Sequence, residues 1–325
     1  MSEAAGRGVA IVGLGTVGRR FIGQFADHDD FHLIGGFDVG ADARDAAVAD
    51  FGLTVTDDAA TLFDDPAVDV VYIATPPLFH EVYVDQALAA GKAIFCEKPL
   101  GVDNTATAAM VERVHAGEAR AAVNFVFGAA PSAVEMITQV RSGACGEILG
   151  ADLRVHFERW PRAWQAGAAW LRDRDQGGWV REVVSHYVFL ISRLFGPAEI
   201  VQAHVGFPDD GTSEQSLVAV LRCGDITVRL IGTSDAAGAD EVEFVVRGSE
   251  RSFRLTNWYQ LTAATANASW QPVLPEAAIA GPASYTAQLD QMARMVAGEP
   301  NTLATFAEAY AVQELVEALL EGGAE

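Results

Sequence analysis

The chain has 325 residues, half of them hydrophobic, which is enough apolar material for the cores of two globular domains. Its 44 acidic and 22 basic side chains give a formal net charge of −22. This balance argues against partners that need a basic face, namely nucleic acids and anionic membranes. The sequence shows no targeting signal and no apolar run of about 18 residues, so we expect a cytoplasmic protein.

The first 127 residues alternate short apolar runs with helical patterns, which is typical of βαβ units on a parallel sheet. The predicted strands are Val9–Val12, His32–Phe37, Asp69–Thr75, Ala93–Glu97 and Ala121–Phe127. The predicted helices are the segment with Val17, Phe21, Ile22 and Phe25 at helical spacing, then Glu81–Ala90 and Thr105–Ala116. We therefore predict an α/β fold whose first domain, residues 1–122, is a doubly wound parallel Rossmann sheet.

The remainder of the chain is dominated by strand patterns. The predicted strands are the long alternating run Ile148–Trp160 and two hairpins, Leu217–Arg222 with Thr227–Ile231 and Glu241–Arg247 with Ser252–Thr256. The predicted helices are Trp179–Phe195, Tyr285–Val296 and Phe306–Leu320. Residues 123–325 are therefore predicted to form an α+β domain built on a largely antiparallel sheet.

A glycine-rich segment follows the first strand directly and opens the first helix; its residues are Gly13, Leu14, Gly15, Thr16, Val17 and Gly18. Gly13 permits the tight turn, Gly15 lets the backbone approach a pyrophosphate, and Gly18 allows close helix–strand packing. The unpaired N–H groups at the helix N-terminus favour the phosphates. The segment therefore predicts a dinucleotide site.

The second predicted strand is followed by Asp38, twenty residues after Gly18. A carboxylate at this position accepts a hydrogen bond from the ribose 2′-hydroxyl of a dinucleotide. Because Asp38 would repel a 2′-phosphate, NAD is favoured over NADP. Arg44 lies close enough in sequence to leave NADP as the alternative.

Lys98 is one of only two lysines, against twenty arginines. A lysine ammonium can lose its proton when it is buried, which an arginine guanidinium does not do. This makes Lys98 a candidate functional residue, the alternative being an ordinary surface lysine. The three cysteines, Cys96, Cys145 and Cys223, are far apart and form no metal-binding pattern, so we expect buried reduced thiols and no metal.

Three further motifs complete a resemblance to a known family. Ala74-Thr75-Pro76 with His80, followed by Glu97-Lys98-Pro99, resembles the Gfo/Idh/MocA (glucose–fructose oxidoreductase / inositol dehydrogenase) superfamily, as does Gly177-Gly178 with His186. The resemblance implies that Thr75, Pro76 and His80 line the cofactor near its nicotinamide half. It also implies that Glu97 lies close to the cofactor and that Lys98 touches the reacting oxygen of the substrate.

Two of these assignments have structural alternatives. His80 could be an ordinary residue at a helix N-terminus, and Asn124, at the end of its strand, is either close to the cofactor or structural.

Glu182 and His186 are four residues apart in the apolar predicted helix, which places both on one helical face. A carboxylate there can orient an imidazole, and the alternative is a structural ion pair. The resemblance implies that His186 is the general acid/base. The family often has an aspartate at the position of Glu182 and another three residues after the histidine, where this chain has Phe189. The loss of that second carboxylate argues against a simple inositol- or glucose-like substrate.

Tryptophans and arginines are interleaved between residues 159 and 179: Trp160, Trp164, Trp170 and Trp179 with Arg159, Arg162, Arg172 and Arg174. Aromatic faces beside cations can line a pocket for a ring-containing substrate, and Arg159, Trp160, Trp164 and Arg172 are our candidates for that role. The alternative is that the tryptophans build a core or a subunit interface.

The resulting prediction is an NAD-dependent oxidoreductase that transfers hydride between nicotinamide and a secondary alcohol or ketone of a sugar-like, cyclitol or other ring-containing molecule. The alternatives are an NAD-dependent glycosidase that oxidises its substrate transiently, and a non-catalytic ligand sensor. A homodimer or homotetramer is expected, because the resemblance implies an open sheet face that pairs with another subunit.

Overall fold

The computed structural model describes residues 6–165 and 167–322, and the chain divides into two compact units. The first unit contains residues up to Phe125 together with Tyr285–Tyr310, and the second contains Val126–Ser284 together with the residues from Ala311 onwards. The division that we expected from the sequence, 1–122 and 123–325, did not include the return of Tyr285–Tyr310 to the first unit.

The first unit is built on a six-stranded parallel sheet with the strand order β3-β2-β1-β4-β5-β6. Its strands are β1 Arg7–Val12, β2 Phe31–Phe37, β3 Val55–Thr56, β4 Val70–Ile73, β5 Ala93–Cys96 and β6 Ala121–Val123. Its connecting helices are α1 Thr16–Ala26, α2 Ala41–Phe51, α3 Ala60–Phe63, α4 His80–Ala89 and α5 Asn104–Ala116. This is the doubly wound order, so the predicted Rossmann fold is confirmed.

Helix α1 shows why the sequence folds in this way. Gly18, Phe21, Ile22 and Phe25 recur at helical spacing and are the buried residues of the helix. The five residues from Gly8 to Val12 of β1 are buried as well, as expected for a strand in a sheet covered on both faces. The carboxyl ends of β1, β2, β4, β5 and β6 lie at one edge of the sheet, where an open α/β sheet binds its ligand.

The prediction of a long last strand was wrong. Residues Ala121–Phe127 were predicted as a strand, but β6 ends at Val123 and Val126–Gly128 is a 3₁₀ turn. The backbone turns because the Phe125 N–H donates to the Val123 carbonyl oxygen at 2.9 Å. Phe125 therefore does not continue the hydrogen bonding between β6 and β5. The Asn124 N–H still donates to the Cys96 carbonyl oxygen at 2.8 Å, so Asn124 remains beside the end of β5.

The second unit is built on an eight-stranded sheet with the order β14-β13-β12-β11-β7-β10-β9-β8. Its strands are β7 Ile148–Phe157, β8 Glu199–Gly206, β9 Ser216–Cys223, β10 Ile226–Ser234, β11 Glu241–Gly248, β12 Arg251–Thr256, β13 Gln260–Thr265 and β14 Gln271–Pro272. Only β7 and β10 pair in parallel among these strands, so the prediction of a largely antiparallel sheet is confirmed.

The later helices are α6 Pro131–Arg141, α7 Ser185–Phe195, α8 Gly281–Ala297 and α9 Phe306–Glu321. The segment Trp179–Phe195, predicted as one helix, is a π-helical turn over Val180–Val184 followed by α7. In the parts of the chain that the structure describes, no helix is both long enough and apolar enough to cross a membrane. Cys96, Cys145 and Cys223 are buried free thiols, as predicted.

Candidate active site

The glycine-rich turn between β1 and α1 has the geometry that the sequence predicts. Gly13 has a φ of +100°, and a Cβ at this position would lie 2.6 Å from the Ala74 carbonyl group. A Cβ on Gly18 would lie 1.9 Å from the Gly13 oxygen, so both positions require glycine. A Cβ on Gly15 would meet nothing within 4 Å, because Gly15 borders open space.

The N-terminus of α1 adjoins this open space. Its first amides, from Thr16 to Gly18, have no acceptor within the helix, and no side chain of the described residues caps the helix at Gly15. Gly15 and Thr16 are exposed and Val17 is partly exposed, so the amides can meet a ligand. These features fit the pyrophosphate of a dinucleotide.

Asp38 lies directly after β2 and holds the glycine turn. Its carboxylate accepts the Leu14 N–H and the Gly40 N–H, each at 2.8 Å. Arg44 donates to the Asp38 backbone carbonyl oxygen at 2.6 Å, so its guanidinium is bound to the backbone next to the carboxylate. Asp38 remains partly exposed, and each carboxylate oxygen can accept a second hydrogen bond from a ribose.

The loop after β4 carries Thr75, Pro76 and His80, which were predicted to face the cofactor. Pro76 is exposed and Thr75 is partly exposed. The Thr75 hydroxyl is enclosed and has no hydrogen-bond partner among the described residues, which leaves its hydrogen-bonding capacity for a group outside the chain. Ala74 and Thr75 pack against Gly13, so this loop adjoins the glycine turn.

His80 lies at the start of α4. It is fully buried, and its Nε2–H donates to the Thr75 carbonyl oxygen at 2.8 Å. Burial lowers the pKa of His80 to about 4, and the positive charge of Lys98 contributes in the same direction. His80 is thus a neutral side chain that holds the Thr75 loop from inside.

Glu97 and Asn124 belong to a hydrogen-bonded chain at the ends of β4, β5 and β6. Glu97 accepts hydrogen bonds from the Tyr72 hydroxyl and from Asn124 Nδ2, the latter at 2.6 Å. Asn124 Oδ1 in turn accepts from Gln288 Nε2 on α8 at 2.6 Å. Burial, reinforced by the Glu97 charge, raises the pKa of Tyr72, so its phenol stays a donor. Sequence reasoning missed Tyr72 and Gln288, which carry no motif.

Lys98 follows Glu97 in the segment after β5 and is partly exposed. Lys98 lies two residues beyond the end of β5, and β5 pairs with β4, the strand that leads into the Thr75 loop. Glu97, Lys98 and Thr75 therefore belong to the same edge of the sheet as the glycine turn, as predicted for the carboxyl ends of parallel strands.

In the second unit, Glu182 lies in the π-helical turn and His186 lies in the first turn of α7. Turns of this kind occur often at functional sites. Gln165 Nε2 donates to Glu182 Oε1 at 3.4 Å, and the Arg162 Nε–H donates to Gln165 Oε1 at 3.0 Å. The proposed orientation of His186 by Glu182 stays a prediction.

His186 is 8% exposed and lies among aromatic rings. Its ring centre is 5.3 Å from that of Trp258 at an interplanar angle of 83°, and 6.2 Å from that of Phe127 at 78°. Tyr187 contacts the same Phe127 and Trp258 rings. The tryptophans that the sequence pattern indicated do not include Trp258, because a hairpin turn distant in sequence brings Trp258 to the histidine.

A buried carboxyl group binds the backbone at the start of the π-helical turn that precedes α7. Glu214 is 1% exposed, and its Oε1 accepts the Val180 N–H at 2.6 Å, while its carbonyl oxygen accepts the Trp179 Nε1–H at 2.8 Å. Burial raises the pKa of Glu214 to about 7. Gly178 has a φ of +99°, and a Cβ there would lie 2.3 Å from Glu214 Oε2. Gly178 and Glu214 thus determine the start of the segment that carries Glu182 and His186.

The tryptophan and arginine cluster divides between core and surface. Trp160 is 2% exposed, its Nε1–H donates to the Leu171 carbonyl oxygen at 3.0 Å, and Trp179 is fully buried. The indole of Trp160 is thus enclosed by the protein, a position that does not suit the substrate contact we predicted for it. Trp164 is 46% exposed and stacks on the Arg162 guanidinium at 4.9 Å. Arg159 and Arg172 are exposed, and Arg172 donates to the Trp160 carbonyl oxygen at 3.1 Å.

Comparison with known families assigns both parts of the chain. Residues 7–125 match a family described as "Oxidoreductase family, NAD-binding Rossmann fold", and residues 133–254 match the GFO/IDH/MocA C-terminal domain. The first part is therefore an NAD-binding Rossmann domain of the oxidoreductase class. The chain belongs to the GFO/IDH/MocA family, as the resemblance of its motifs predicted.

Individual relatives match over part of their length. A human trans-1,2-dihydrobenzene-1,2-diol dehydrogenase is 28% identical over 224 residues, covering 60% of this chain and 63% of that enzyme. An inositol 2-dehydrogenase/D-chiro-inositol 3-dehydrogenase from Lactiplantibacillus plantarum is 31% identical over 175 residues, covering 51% of this chain and 49% of that enzyme. This chain thus spans less than two thirds of the length of these curated relatives.

Similarity to solved structures extends over nearly the whole chain. An oxidoreductase from Agrobacterium radiobacter, solved with NAD⁺, L-tartaric acid and magnesium, has a TM-score of 0.84 at 19% identity. The superposition covers 98% of this chain and 96% of that chain. At this identity the likeness establishes the shared fold.

Proposed function

We propose that this protein is an NAD-dependent dehydrogenase that oxidises a secondary alcohol, or reduces the corresponding ketone, on a sugar-like, cyclitol or other ring-containing small molecule. The observation that carries the proposal is that the glycine turn, the Thr75 loop and the segment with Lys98 follow the neighbouring strands β1, β4 and β5 at one edge of the parallel sheet. The relatives support it, because a cyclic diol dehydrogenase and an inositol dehydrogenase are both among them.

The residues of the first unit would hold the cofactor. In this proposal the amides of Gly15, Thr16 and Val17 bind the pyrophosphate, Asp38 binds the adenosine ribose, and Thr75, Pro76, Glu97 and Asn124 line the nicotinamide half. His80 acts from inside by holding the Thr75 carbonyl oxygen. When bound, NAD supplies the carbon that accepts or donates the hydride.

The substrate would be handled by Lys98 and His186. The Lys98 ammonium binds and polarises the reacting oxygen, and His186 exchanges its proton, with Glu182 as a positioning residue for the imidazole. The exposed Arg159, Trp164 and Arg172 are candidate contacts for the outer part of the substrate. NAD is preferred to NADP in this proposal, because the Asp38 carboxylate repels a 2′-phosphate and Arg44 is bound to the backbone.

The direct test is an absorbance screen at the NADH band, with sugars, cyclitols and cyclic diols offered together with NAD⁺ or NADP⁺. The proposal predicts NADH formation with at least one cyclic alcohol and a lower rate with NADP⁺. Release of a leaving group without net NADH would instead indicate the glycosidase alternative.

Variants of Lys98 test its role. Lys98→Ala is expected to lower turnover about 10²- to 10⁴-fold, because it removes the group that binds the oxygen and assists proton transfer, while NAD⁺ affinity stays nearly unchanged. Lys98→Arg keeps the positive charge, but a guanidinium does not give up its proton, so this variant should also be slow. The control is Lys92→Arg, at the other lysine, whose Nζ is bound to the Asp65 and Val68 carbonyl oxygens at 2.8 Å. Unchanged turnover in Lys98→Ala contradicts the assignment.

A further inference from the structure

Trp258 has an unusual backbone conformation. It lies in the turn between β12 and β13, and both Asn257 and Trp258 have a positive φ, +48° and +71°. Asparagine tolerates this left-handed region, but a bulky aromatic residue rarely adopts it, because its Cβ crowds the backbone. Strained residues of this kind persist only where the surrounding structure holds them, and they concentrate at functional sites.

Aromatic contacts of the indole hold Trp258 in this strained backbone conformation. The Trp258 ring centre lies 5.3 Å from that of His186, 5.7 Å from that of Tyr187 and 5.8 Å from that of Phe127. Two of these rings belong to α7, and Phe127 belongs to the 3₁₀ turn Val126–Gly128. The indole itself stays partly exposed, whereas Phe127 and Tyr187 are fully buried.

The result is an apolar aromatic surface next to the proposed proton-exchanging histidine. An interior packing role would bury the indole and would not need a left-handed residue. We propose that Trp258 is a specificity-determining residue whose indole forms a wall of the substrate site beside His186 and contacts the apolar C–H face of a cyclic alcohol. This inference rests on the proposed function, which it deepens by naming the residue that selects a ring.

The surroundings of the indole favour a substrate with few polar groups on that side. Phe127 offers only hydrocarbon, and the Tyr187 hydroxyl is enclosed without a hydrogen-bond partner among the described residues. Burial raises the pKa of Tyr187, so its hydroxyl stays neutral. A cyclic diol with one hydrocarbon face suits these groups better than a fully hydroxylated open chain.

The test uses two probes with the same six carbons and two secondary hydroxyls, trans-cyclohexane-1,2-diol and open-chain hexane-3,4-diol. Saturation-transfer NMR, with irradiation of the protein aromatic protons, reports which probe contacts an aromatic face and does not depend on turnover. The full chain is examined with NAD⁺. For wild type, the saturation-transfer signal of the cyclic diol is expected to be about tenfold larger than that of the open-chain diol.

Two ring-less variants, Trp258→Gly and Trp258→Asn, suit the left-handed backbone, so they keep the turn while removing the indole. In both variants the ratio of the cyclic-diol signal to the open-chain signal is expected to fall to about one. Trp258→Phe should retain much of the preference for the cyclic diol. The control is Trp270→Ala, which removes a partly exposed tryptophan of the same unit that stacks on Arg247 and Arg254. Thermal unfolding confirms that each variant is folded.

A ring preference that persists in both ring-less variants, or one that wild type lacks, overturns the inference. Its failure can be told apart from failure of the proposed function. NADH formation without a ring preference keeps the proposed function and removes the role of Trp258. A ring preference that depends on Trp258, without NADH from any cyclic alcohol, supports the inference and counts against the dehydrogenase.

Discussion

At the scale of single residues, His80 shows how burial changes what a titratable side chain does. Its pKa is lowered to about 4, against 6.5 for an ordinary histidine, mainly because the charged form would be enclosed. The folded protein therefore binds this proton less readily than the unfolded chain. The contribution of His80 to stability is fully present above pH 6.5 and is lost as the pH falls towards 4.

This difference predicts an acid-sensitive component of stability. Between pH 7.5 and 4.5, His80 should account for a loss of about 2 to 3 kcal/mol in the free energy of unfolding. His80→Gln cannot titrate but can still donate to the Thr75 carbonyl oxygen, so its stability should fall less over this range. Urea unfolding at several pH values measures the difference. His32→Gln, at an exposed histidine of β2, is the control, and equal pH slopes for wild type and His80→Gln would contradict the prediction.

Residues whose roles depend on local geometry were predictable. Gly13 and Gly18 were identified correctly as positions that need glycine, because the positive φ of Gly13 and the contact of Gly18 with Gly13 both arise within the turn itself. Trp258 was not identified, because its role depends on a hairpin turn that meets α7 only in the folded sheet. Trp160 and Trp179 are tryptophans as well, yet they are buried in the core.

At the scale of secondary-structure elements, the start of the π-helical turn depends on a single close approach. Gly178 leaves room for the Glu214 carboxyl group, which accepts the Val180 N–H. Hydrophobic spacing predicted a helix over Trp179–Phe195, but a π-helical turn at its start leaves no mark in that spacing. Helix α2 was missed for another reason, since Ala47 is its only buried residue and it has no apolar stripe.

The close approach predicts the effect of one added methyl group. Gly178→Ala adds a Cβ 2.3 Å from Glu214 Oε2 in a left-handed backbone, so it should displace the carboxyl group from the Val180 N–H. We expect a loss of about 2 to 5 kcal/mol in the free energy of unfolding, from backbone strain and the broken buried hydrogen bond. Turnover should fall as well, because the segment carrying Glu182 and His186 shifts.

The matched control is Gly211→Ala. Gly211 also has a positive φ, +79°, but a Cβ there would meet nothing within 4 Å. It should therefore show the backbone strain alone, about 1 to 2 kcal/mol. Urea unfolding of the two variants separates the backbone strain from the effect of the Glu214 contact. Equal losses in the free energy of unfolding would mean that the Glu214 contact is unimportant.

At the scale of the whole molecule, the first unit is discontinuous in sequence. Residues Tyr285–Tyr310 belong to it, and Gln288 on α8 completes the hydrogen-bonded chain through Asn124 to Glu97. The apolar spacing of residues 285–296 predicted a helix correctly. It could not indicate which sheet that helix covers, because the same apolar face can pack on either one.

The open face of the eight-stranded sheet is a candidate interface between copies of the chain. Residues alternate between buried and exposed along β9 and β10, so one face of this pair is solvent-accessible. On that face, Val218 and Ile231 are cross-strand neighbours and are 52% and 51% exposed. Next to them Arg229 pairs with Asp152 at 2.6 Å, and both are partly exposed. We propose that this face pairs with a second copy of the chain in a homodimer or homotetramer.

Replacing the apolar pair tests this assembly. The double variant Val218→Asp, Ile231→Asp would enclose two carboxylates in the interface, which is strongly unfavourable without partners. Light scattering coupled to gel filtration should give wild type a mass that is a multiple of 34.5 kDa and the variant a mass of 34.5 kDa. Val48→Asp on α2, at a valine that is 46% exposed, should leave the assembly unchanged. A wild-type monomer, or a double variant that stays assembled, would show that Val218 and Ile231 do not form the interface.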